Sequence, residues 1–480
     1  MHFSNTLKIL GLVMLFYSLT MIPPILVAIF YHEATLLNFF VALGLTAVLG
    51  LLLWFPSRQE HRELRPREGF LIVTLIWMLL CLTSTLPFLI HNLSFFDAIF
   101  EATSGLTATG ATVFTKLEDF PKSILYYRQQ LQFIGGGGII LFAVAILPML
   151  GVGGMQLIRA EMAGPFKDDK LTPRIAQTAK TLWYIYVGLV LLCAFFFWLA
   201  GMTLFDAICH SFATISTGGF STHDQSFGFF QNPLIQYLAS IFMFLGSINF
   251  SLHFMAVRRK TLRHYWQDIE FRFYLIYLII IFTLVVAMLW YFKHFSSFDI
   301  TLHKSIFQVA TFATTTGFAS ADYSKFPSFL PILLLLICVI GGCAGSTAGG
   351  IKMIRAIVMN KQGIREIERL IHPSGHYVIK LGYGRLQNRT LDAIWGFLGV
   401  YIAIFILLLL LLIATGLDFI SAFSGVAAAV SSGGLGLGVL SDNFQPLNNP
   451  AKIILTFGML AGRLEFFTLL VLFSPSYWRH

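Results

Sequence analysis

The sequence contains few charged residues. Asp, Glu, Lys and Arg make up 11% of its 480 residues, whereas 57% are hydrophobic and the mean hydropathy is +0.77. Soluble domains carry about 25% charged residues, so this chain has too little charge to cover a water-facing surface. The shortage excludes a soluble globular enzyme, a disordered chain and a free nucleic-acid-binding protein. It favours one polytopic membrane bundle over the several soluble domains that the length alone suggests.

Cysteine is also scarce, and no cleavage site follows the first apolar run. The cysteines lie apart within apolar segments and form no CxxC pair, at Cys81, Cys193, Cys209, Cys338 and Cys343. A disulfide framework or a cysteine metal site is therefore not expected. The apolar run that follows Lys8 continues to Phe30 without a small-residue cleavage motif, which predicts a retained first span.

Long apolar runs are abundant. Ten of them reach the length of about 20 residues that a membrane crossing needs, at 8–30, 36–55, 69–90, 127–150, 181–202, 232–257, 273–293, 327–358, 391–414 and 449–474. Four more are too short to cross and are predicted to be re-entrant or buried, at 96–109, 205–217, 303–316 and 418–432. Basic residues cluster after the second, fourth, sixth and eighth spans, on one side of this arrangement. The net charge of +9 then reflects the positive-inside rule, which predicts that both termini are cytoplasmic.

The four short segments resemble one another. They read FDAIFEATSGLTATGAT (96–112), FDAICHSFATISTGGFST (205–222), HKSIFQVATFATTTGFAS (303–320) and LDFISAFSGVAAAVSSGGLG (417–436). Each is an apolar run of small residues followed by Ser or Thr and then Gly, and the glycines at matching places are Gly110, Gly218, Gly317 and Gly433, with Gly434 as an alternative in the fourth copy.

This repeat predicts the fold class. We expect an all-α polytopic membrane protein of ten transmembrane helices, in which four span–pore helix–span repeats surround one pore and two further spans precede them. The predicted units are the two N-terminal helices (1–68), pore repeat 1 (69–158), a cytoplasmic loop with pore repeat 2 (159–258), pore repeat 3 with an intramembrane loop (259–360), and a cytoplasmic segment with pore repeat 4 (361–480).

The repeated Ser/Thr–Gly loops predict a cation site. A short helix that enters from outside has a partly negative C-terminal end, and the non-helical backbone after it must be buried or line water. Four such loops around one axis would form a ring of carbonyl oxygens that can replace the hydration shell of K⁺. The predicted filter residues are Thr109, Gly110, Thr217, Gly218, Thr316, Gly317, Ser432, Gly433 and Gly434, flanked by Ala108, Ala111, Ser216, Gly219, Thr315, Phe318 and Ser431.

Other polar residues surround these loops. An acidic residue follows each loop on the predicted outer side and could concentrate cations there, at Asp119, Asp224, Asp322 and Asp442. Carboxylates are predicted to cap three of the short helices, at Asp97, Asp206 and Asp418, whereas the third copy has Lys304 nearby and lacks the cap. Polar residues inside the short helices are predicted to brace the loops from behind, at Glu101, His210 and Gln308.

The eighth apolar run is interrupted by GGCAGSTAGG (341–350). Each glycine costs about 1 kcal/mol in a helix relative to alanine, so a straight helix is not expected here. An unwound segment in the membrane must face a cavity, and we interpret it as a gate on the inner side of the pore. The predicted gate residues are Gly341, Gly342, Gly345, Ser346, Thr347, Gly349 and Gly350, together with Arg463 in the last span. We expect Arg463 to bind carbonyls of this segment or Glu465, because a charge inside the membrane needs a partner.

These features resemble the Trk/Ktr/HKT superfamily of potassium transport proteins. The two additional spans, DKLTPRIAQTAK (169–180) and HPSG (372–375) are similar to its TrkH/TrkG branch. The branch usually has Asn-Asn-Leu-Gly-Pro-Gly in the fourth filter, where this chain has residues 431–436, and alignment with it selects Gly434 over Gly433.

The resemblance implies a function and partners. It implies potassium uptake across the bacterial cytoplasmic (inner) membrane, a homodimer, and a gate in the 341–350 segment. It also implies a separate nucleotide-binding regulator of the TrkA type, so that this chain itself binds K⁺ and no other cofactor. Na⁺ is an alternative permeant ion, and a Na⁺- or H⁺-coupled symporter is an alternative mechanism. A membrane enzyme would need converging His, Asp or Glu residues at one membrane face, and the sequence predicts none.

Overall fold

The computed structural model describes residues 3–58, 66–141, 172–382 and 384–479, and the secondary structure of this part is predominantly helical. One hairpin pairs Lys380–Leu381 with Gly384–Arg385. The α-helices are Phe3–Ser18, Ile22–Phe30, Leu36–Trp54, Pro66–Ser84, Leu86–Ile90, Phe95–Leu106, Lys122–Leu141, Thr172–Leu199, Leu204–Ile215, Pro233–Gly246, Phe250–Arg259, Arg263–Gln267, Ile269–Tyr291, Phe298–Ala313, Leu330–Ile340, Met353–Ile371, Asn388–Ala414, Phe419–Val430, Asn449–Arg463, Phe467–Phe473 and Pro475–Trp478. The predicted all-α class is confirmed.

The described helices account for most of the predicted spans. Six are long and apolar enough to cross a membrane, at Ser4–Phe30, Leu36–Ser57, Glu68–Ile90, Ala179–Leu199, Ile269–Tyr291 and Asn388–Ala414. Two bent helix pairs are apolar enough when taken together and would raise the number to eight if each pair is one span; the bend is 95° between Pro233–Gly246 and Phe250–Arg259 and 111° between Asn449–Arg463 and Phe467–Phe473. The fourth predicted span extends beyond the described residues, and the eighth is divided at Ile340. The count of ten stays a prediction.

The four short helices, named short helix 1 to 4, are Phe95–Leu106, Leu204–Ile215, Phe298–Ala313 and Phe419–Val430. Their N-caps are Ser94, Thr203, Ser297 and Asp418, whose side-chain oxygens accept a backbone N–H three residues on. The predicted cap at Asp418 is confirmed. Asp97 and Asp206 stand three residues inside their helices, so their prediction as caps was wrong. The third copy does have a cap, because Ser297 starts that helix earlier than the apolar pattern indicated.

The repeats close into a ring. The helix that follows each short helix along the chain packs against the short helix of the next repeat: Lys122–Leu141 against short helix 2, Pro233–Gly246 against short helix 3, Leu330–Ile340 against short helix 4, and Asn449–Arg463 against short helix 1. This cyclic packing brings together segments more than 300 residues apart in sequence, as in the ion pair of Lys452 with Asp97, whose atoms are 2.7 Å apart. The N-terminal helices lie outside the ring, against repeat 1.

Candidate functional site

The loops after the short helices share one backbone conformation. We name them glycine loops 1 to 4, residues 107–112, 216–221, 314–319 and 431–436. In each, a non-glycine residue has a left-handed φ between 50° and 55°, at Ala108, Thr217, Thr315 and Ser432. Two residues later comes a glycine with φ between 66° and 87°, at Gly110, Gly219, Gly317 and Gly434.

This shared conformation corrects the register of the repeat. Gly218 and Gly433 do not match Gly110 but the residue before it, Thr109, so the predicted register was wrong by one position in copy 2, and in copy 4 the alternative glycine, Gly434, is the equivalent. Gly219, predicted as a flanking residue, is the equivalent of Gly110 and Gly317. In copy 4 the alignment with the resembling family, which selects Gly434, agrees with the backbone.

The four loops touch in a closed circle. A Cβ atom placed on each of these glycines would clash with a carbonyl oxygen of the next loop: Gly110 with Gly218 at 2.2 Å, Gly219 with Thr316 at 2.1 Å, Gly317 with Gly433 at 2.6 Å, and Gly434 with Thr109 at 2.3 Å. Glycine is therefore required at these positions for two reasons: the backbone has a positive φ, and the neighbouring backbone approaches too closely for a side chain. The contact atoms at the four junctions are the carbonyl oxygens of Thr109, Gly218, Thr316 and Gly433, and we name this set the carbonyl ring.

Each short helix braces the chain that leaves its own loop. Glu101 accepts hydrogen bonds from the Val113 N–H and the Thr112 hydroxyl, at 3.0 Å each. His210 Nε2 lies 3.0 Å from the Ser221 hydroxyl, and Gln308 donates to the Ala321 carbonyl at 3.1 Å. These contacts confirm the predicted bracing. The fourth brace is Ser424, which accepts the Leu437 N–H at 2.8 Å and which the sequence analysis missed because serine gives a weak signal.

A buried ion pair reinforces glycine loops 1 and 2. Arg128 Nε lies 2.7 Å from Glu101, and neither side chain is exposed to solvent. Arg128 also donates to the Ser221 carbonyl at 3.2 Å, and its guanidinium stacks on the Phe220 ring with 4.3 Å to the centroid. Arg128 was not predicted as a functional residue. It lies in a predicted span, so the rule that drew attention to Arg463 would have found it.

The glycine-rich interruption of the eighth run forms a loop that returns to its starting point. We name residues 341–352 the central loop. The helix before it ends at Ile340, and the Ile351 and Lys352 N–H groups donate to the Val339 and Ile340 carbonyls at 2.9 Å each. The next helix therefore begins beside the end of the previous one, at Met353. The residues between them project sideways as a compact loop.

The central loop lies against the C-terminal ends of three short helices. Thr347 donates to the carbonyl of Ile215, the last residue of short helix 2, at 2.9 Å. The Gly349 N–H donates to the Thr315 hydroxyl at 2.7 Å, next to the end of short helix 3. A Cβ on Gly349 would lie 2.1 Å from the carbonyl oxygen of Ser431, the C-cap of short helix 4. The loop thus contacts the ends of short helices 2, 3 and 4, beside the glycine loops.

Arg463 connects the central loop to the fourth side of the ring. Its guanidinium donates to the Thr347 carbonyl at 3.1 Å and to the Gly135 carbonyl at 3.3 Å. Gly135 packs directly under Leu106, the last residue of short helix 1, since a Cβ there would be 1.8 Å from the Leu106 oxygen. The predicted partnership with a loop carbonyl is confirmed. The alternative partner was wrong, because Glu465 pairs instead with Arg355 at 2.7 Å.

A second buried carboxylate holds the central loop in place. One oxygen of Glu270 accepts the Ala344 N–H at 2.8 Å and the Ile354 N–H at 3.0 Å. Glu270 is 4% exposed and is the second residue of the helix Ile269–Tyr291. The same carboxylate oxygen of Glu270 thus binds the chain at the start of the central loop and the chain just after its end. The sequence analysis missed this residue, because it stands at a helix start where a carboxylate is unremarkable.

The four predicted outer acidic residues are all exposed. Two of them have structural partners. Asp224 accepts the N–H groups of Lys116 and Leu117 at 2.8 and 3.1 Å, and this links the chain after loop 2 to the chain after loop 1. Asp322 lies 2.7 Å from Lys325, whose hydrogen bond lowers the pKa of Asp322 below its usual value. A cation-attracting role for these residues stays a prediction.

Comparison with known proteins assigns this architecture. Residues 35–480 match the sequence model of TrkH, described as a cation transport protein. The chain belongs to the TrkH family. It is 51% identical over 489 residues to the Trk system potassium uptake protein TrkH of Escherichia coli (strain K12), with 100% of both chains covered. The Trk system potassium uptake protein TrkG of the same organism is 40% identical over 472 residues, 98% of this chain and 97% of that one.

A solved structure of a TrkH protein has the same fold. The crystal structure of the potassium transporter TrkH from Vibrio parahaemolyticus matches with a TM-score of 0.93 at 45% identity, with both chains covered completely. The predicted resemblance to the TrkH/TrkG branch is therefore confirmed. As a member of the TrkH family, the protein is a membrane transport protein and not an enzyme.

Proposed function

We propose that this TrkH-family protein carries out potassium uptake through one pore, with the carbonyl ring as its selectivity filter. The closed circle of glycine loops is the observation that supports this function most directly, because each of the four repeats contributes one backbone carbonyl at a contact with the next loop. Relatives that match the whole chain are named as potassium uptake proteins, which agrees with the proposal.

The chemistry of the ring suits a monovalent cation. Carbonyl oxygens replace water around the ion without adding net charge, and the C-terminal ends of the four short helices add a partly negative potential. A single ring of four carbonyl oxygens offers fewer ligands than a filter with several such rings. We therefore expect modest discrimination between K⁺ and Na⁺, with Na⁺ as the competing permeant ion.

In this proposal the central loop is the gate. It lies against the inner ends of short helices 2, 3 and 4, and Arg463 extends the contact to short helix 1. An ion leaving the ring would meet this loop and a fixed positive charge. Opening therefore requires the loop to move away, with loss of the hydrogen bonds from Thr347, Gly349 and Arg463.

The remaining parts of the proposal concern partners and place. A TrkA-type regulator with its own nucleotide would control the gate from the cytoplasm, and two copies of the chain would form a homodimer in the bacterial inner membrane with both termini cytoplasmic. The resemblance and the distribution of basic residues support these points. The predicted basic segment from residue 159 lies outside the described residues up to 171.

Ion flux into liposomes tests the function. Purified protein should take up K⁺ faster than Na⁺, and Gly317→Ser should reduce the K⁺/Na⁺ permeability ratio, because a side chain there would meet the Gly433 oxygen and displace the ring. An unchanged ratio in folded Gly317→Ser protein would contradict the filter assignment. Uptake that stops when a Na⁺ or H⁺ gradient is collapsed, with the K⁺ gradient held constant, would show coupled symport instead.

A further inference from the structure

The carbonyl ring has two kinds of member. Loops 1 and 3 have threonine at the ring position, and the Thr109 and Thr316 hydroxyls bond to Thr107 and Thr314 at 2.8 and 2.6 Å. Loops 2 and 4 have glycine at this position, Gly218 and Gly433, and the space a Cβ would occupy there is filled by Gln132 and Cys338 from the preceding repeat. Threonine and glycine therefore alternate around the carbonyl ring.

The ring carbonyls also differ in their hydrogen bonds. Gly218 O accepts a bond from the Gln132 side chain at 2.6 Å, and Gly433 O accepts the Leu435 N–H at 2.9 Å. Within the described residues, no protein group donates to the carbonyls of Thr109 or Thr316. A carbonyl that already accepts a short bond has less electron density to offer an ion, so loops 1 and 3 provide the stronger ligands.

Gln132 is held so that its amide can act in only one orientation. Its Nε2 donates to Gly218 O, while its Oε1 accepts the Phe220 N–H at 3.1 Å. Rotating the amide by half a turn would bring its NH₂ group against the Phe220 N–H, two donors facing each other. The side chain is fully buried. Gln132 thus hydrogen-bonds to both ends of the segment from Gly218 to Phe220 in loop 2.

We propose that Gln132 is a specificity-determining positioning residue: through its hydrogen bonds to Gly218 and Phe220 it sets the direction and ligand strength of one ring carbonyl and so favours K⁺ over Na⁺. This inference rests on the proposed function. A stronger ligand field favours the smaller ion, so weakening one carbonyl shifts the ring toward K⁺. Without the amide donor, Gly218 O becomes a full ligand and the preference declines.

The test compares variants of two glutamines on the same helix. Gln132→Met keeps the length of the side chain and removes both hydrogen bonds. Gln130→Met is the matched control, because Gln130 donates to the Thr20 carbonyl, in the N-terminal helices outside the ring. We expect Gln132→Met to lower the K⁺/Na⁺ permeability ratio in liposomes about two- to tenfold, the change that one net hydrogen bond corresponds to. Gln130→Met should leave the ratio unchanged.

Three results would overturn the inference. They are an unchanged ratio in folded Gln132→Met, an equal change in Gln130→Met, and a ratio that moves toward K⁺. If Gln132→Met does not fold, Gln132→Leu decides, since leucine also lacks the amide donor and adds no charge; the same ratio as wild type would then reject the role. Failure of the proposed function is recognised separately, because wild-type protein would then show no K⁺ uptake.

Discussion

At the scale of single residues, an ion pair buried behind the glycine loops restricts which substitutions the protein tolerates. Arg128 and Glu101 have no exposed side-chain surface, and each satisfies the other's charge. Removing one partner of such a pair leaves an uncompensated buried ion, which costs about 3–5 kcal/mol, whereas replacing both is much less harmful. The pair therefore constrains sequence change at both positions together.

This constraint predicts the outcome of a double-mutant cycle. Arg128→Leu should lower the free energy of unfolding by about 3–5 kcal/mol, and Glu101→Leu added to it should restore part of that loss. Thermal unfolding of detergent-solubilised protein measures both. Gln130→Leu serves as a control on the same helix. If the double variant loses as much unfolding free energy as the Arg128→Leu and Glu101→Leu single variants together, the two residues act independently.

The internal repeat alone could not predict the residue-level register of the glycine loops; in copy 4, Gly434 was selected only by the resemblance to the family. The sequence places two adjacent glycines at Gly218 and Gly219 and again at Gly433 and Gly434, and either member of such a pair can adopt a positive φ. The choice is made by the neighbouring loop, whose carbonyl oxygen leaves no room for a Cβ at Gly219 and Gly434. That contact joins different repeats, so no local pattern contains it.

At the scale of helices and loops, apolar length predicted which segments exist, and local chemistry decided where they end. Short helix 3 begins at Phe298, before its apolar run, because Ser297 provides a cap. The predicted span 232–257 bends by 95° after Gly246. A Cβ on Gly246 would be 2.9 Å from the Ile215 oxygen, so this glycine permits close packing under short helix 2. Such bends depend on tertiary contacts, which hydropathy does not register.

The central loop is an element whose position depends on one carboxylate. Glu270→Ala would leave the buried N–H groups of Ala344 and Ile354 without their shared acceptor, at a cost of about 1–3 kcal/mol each. We expect the loop to leave its closed position more often, which should raise K⁺ flux without the regulator about tenfold or more. Flux into liposomes measures this effect.

A matched control stands next to Glu270 in the chain. Asp268 caps the same helix by accepting the Phe271 N–H at 2.8 Å, and within the described residues its side chain makes no hydrogen bond to the central loop. Asp268→Asn should therefore leave the flux near the wild-type level. Equal flux in Glu270→Ala and wild-type protein would show that the carboxylate does not hold the gate closed.

At the scale of the whole molecule, the carbonyl ring is complete only when all four repeats are assembled. Its members are contributed by loops that begin at residues 107, 216, 314 and 431, and each loop touches the next across a repeat boundary. The cyclic packing of helices that carries the loops is a property of the folded chain, so an unfolded chain has no carbonyl ring. If the ring binds K⁺, as proposed above, ion binding and folding are linked.

This linkage predicts that K⁺ stabilises the protein. A ligand present at about one hundred times its Kd adds about 2.7 kcal/mol to the free energy of unfolding when it binds only the folded state. The melting temperature should therefore rise when choline is replaced by K⁺ at constant ionic strength, and rise less with Na⁺. Gly434→Ala, whose added Cβ would meet the Thr109 oxygen at 2.3 Å, should lose the K⁺-dependent part of the increase. Equal melting temperatures in K⁺ and choline, or an undiminished increase in folded Gly434→Ala, would mean that the ring does not bind the ion.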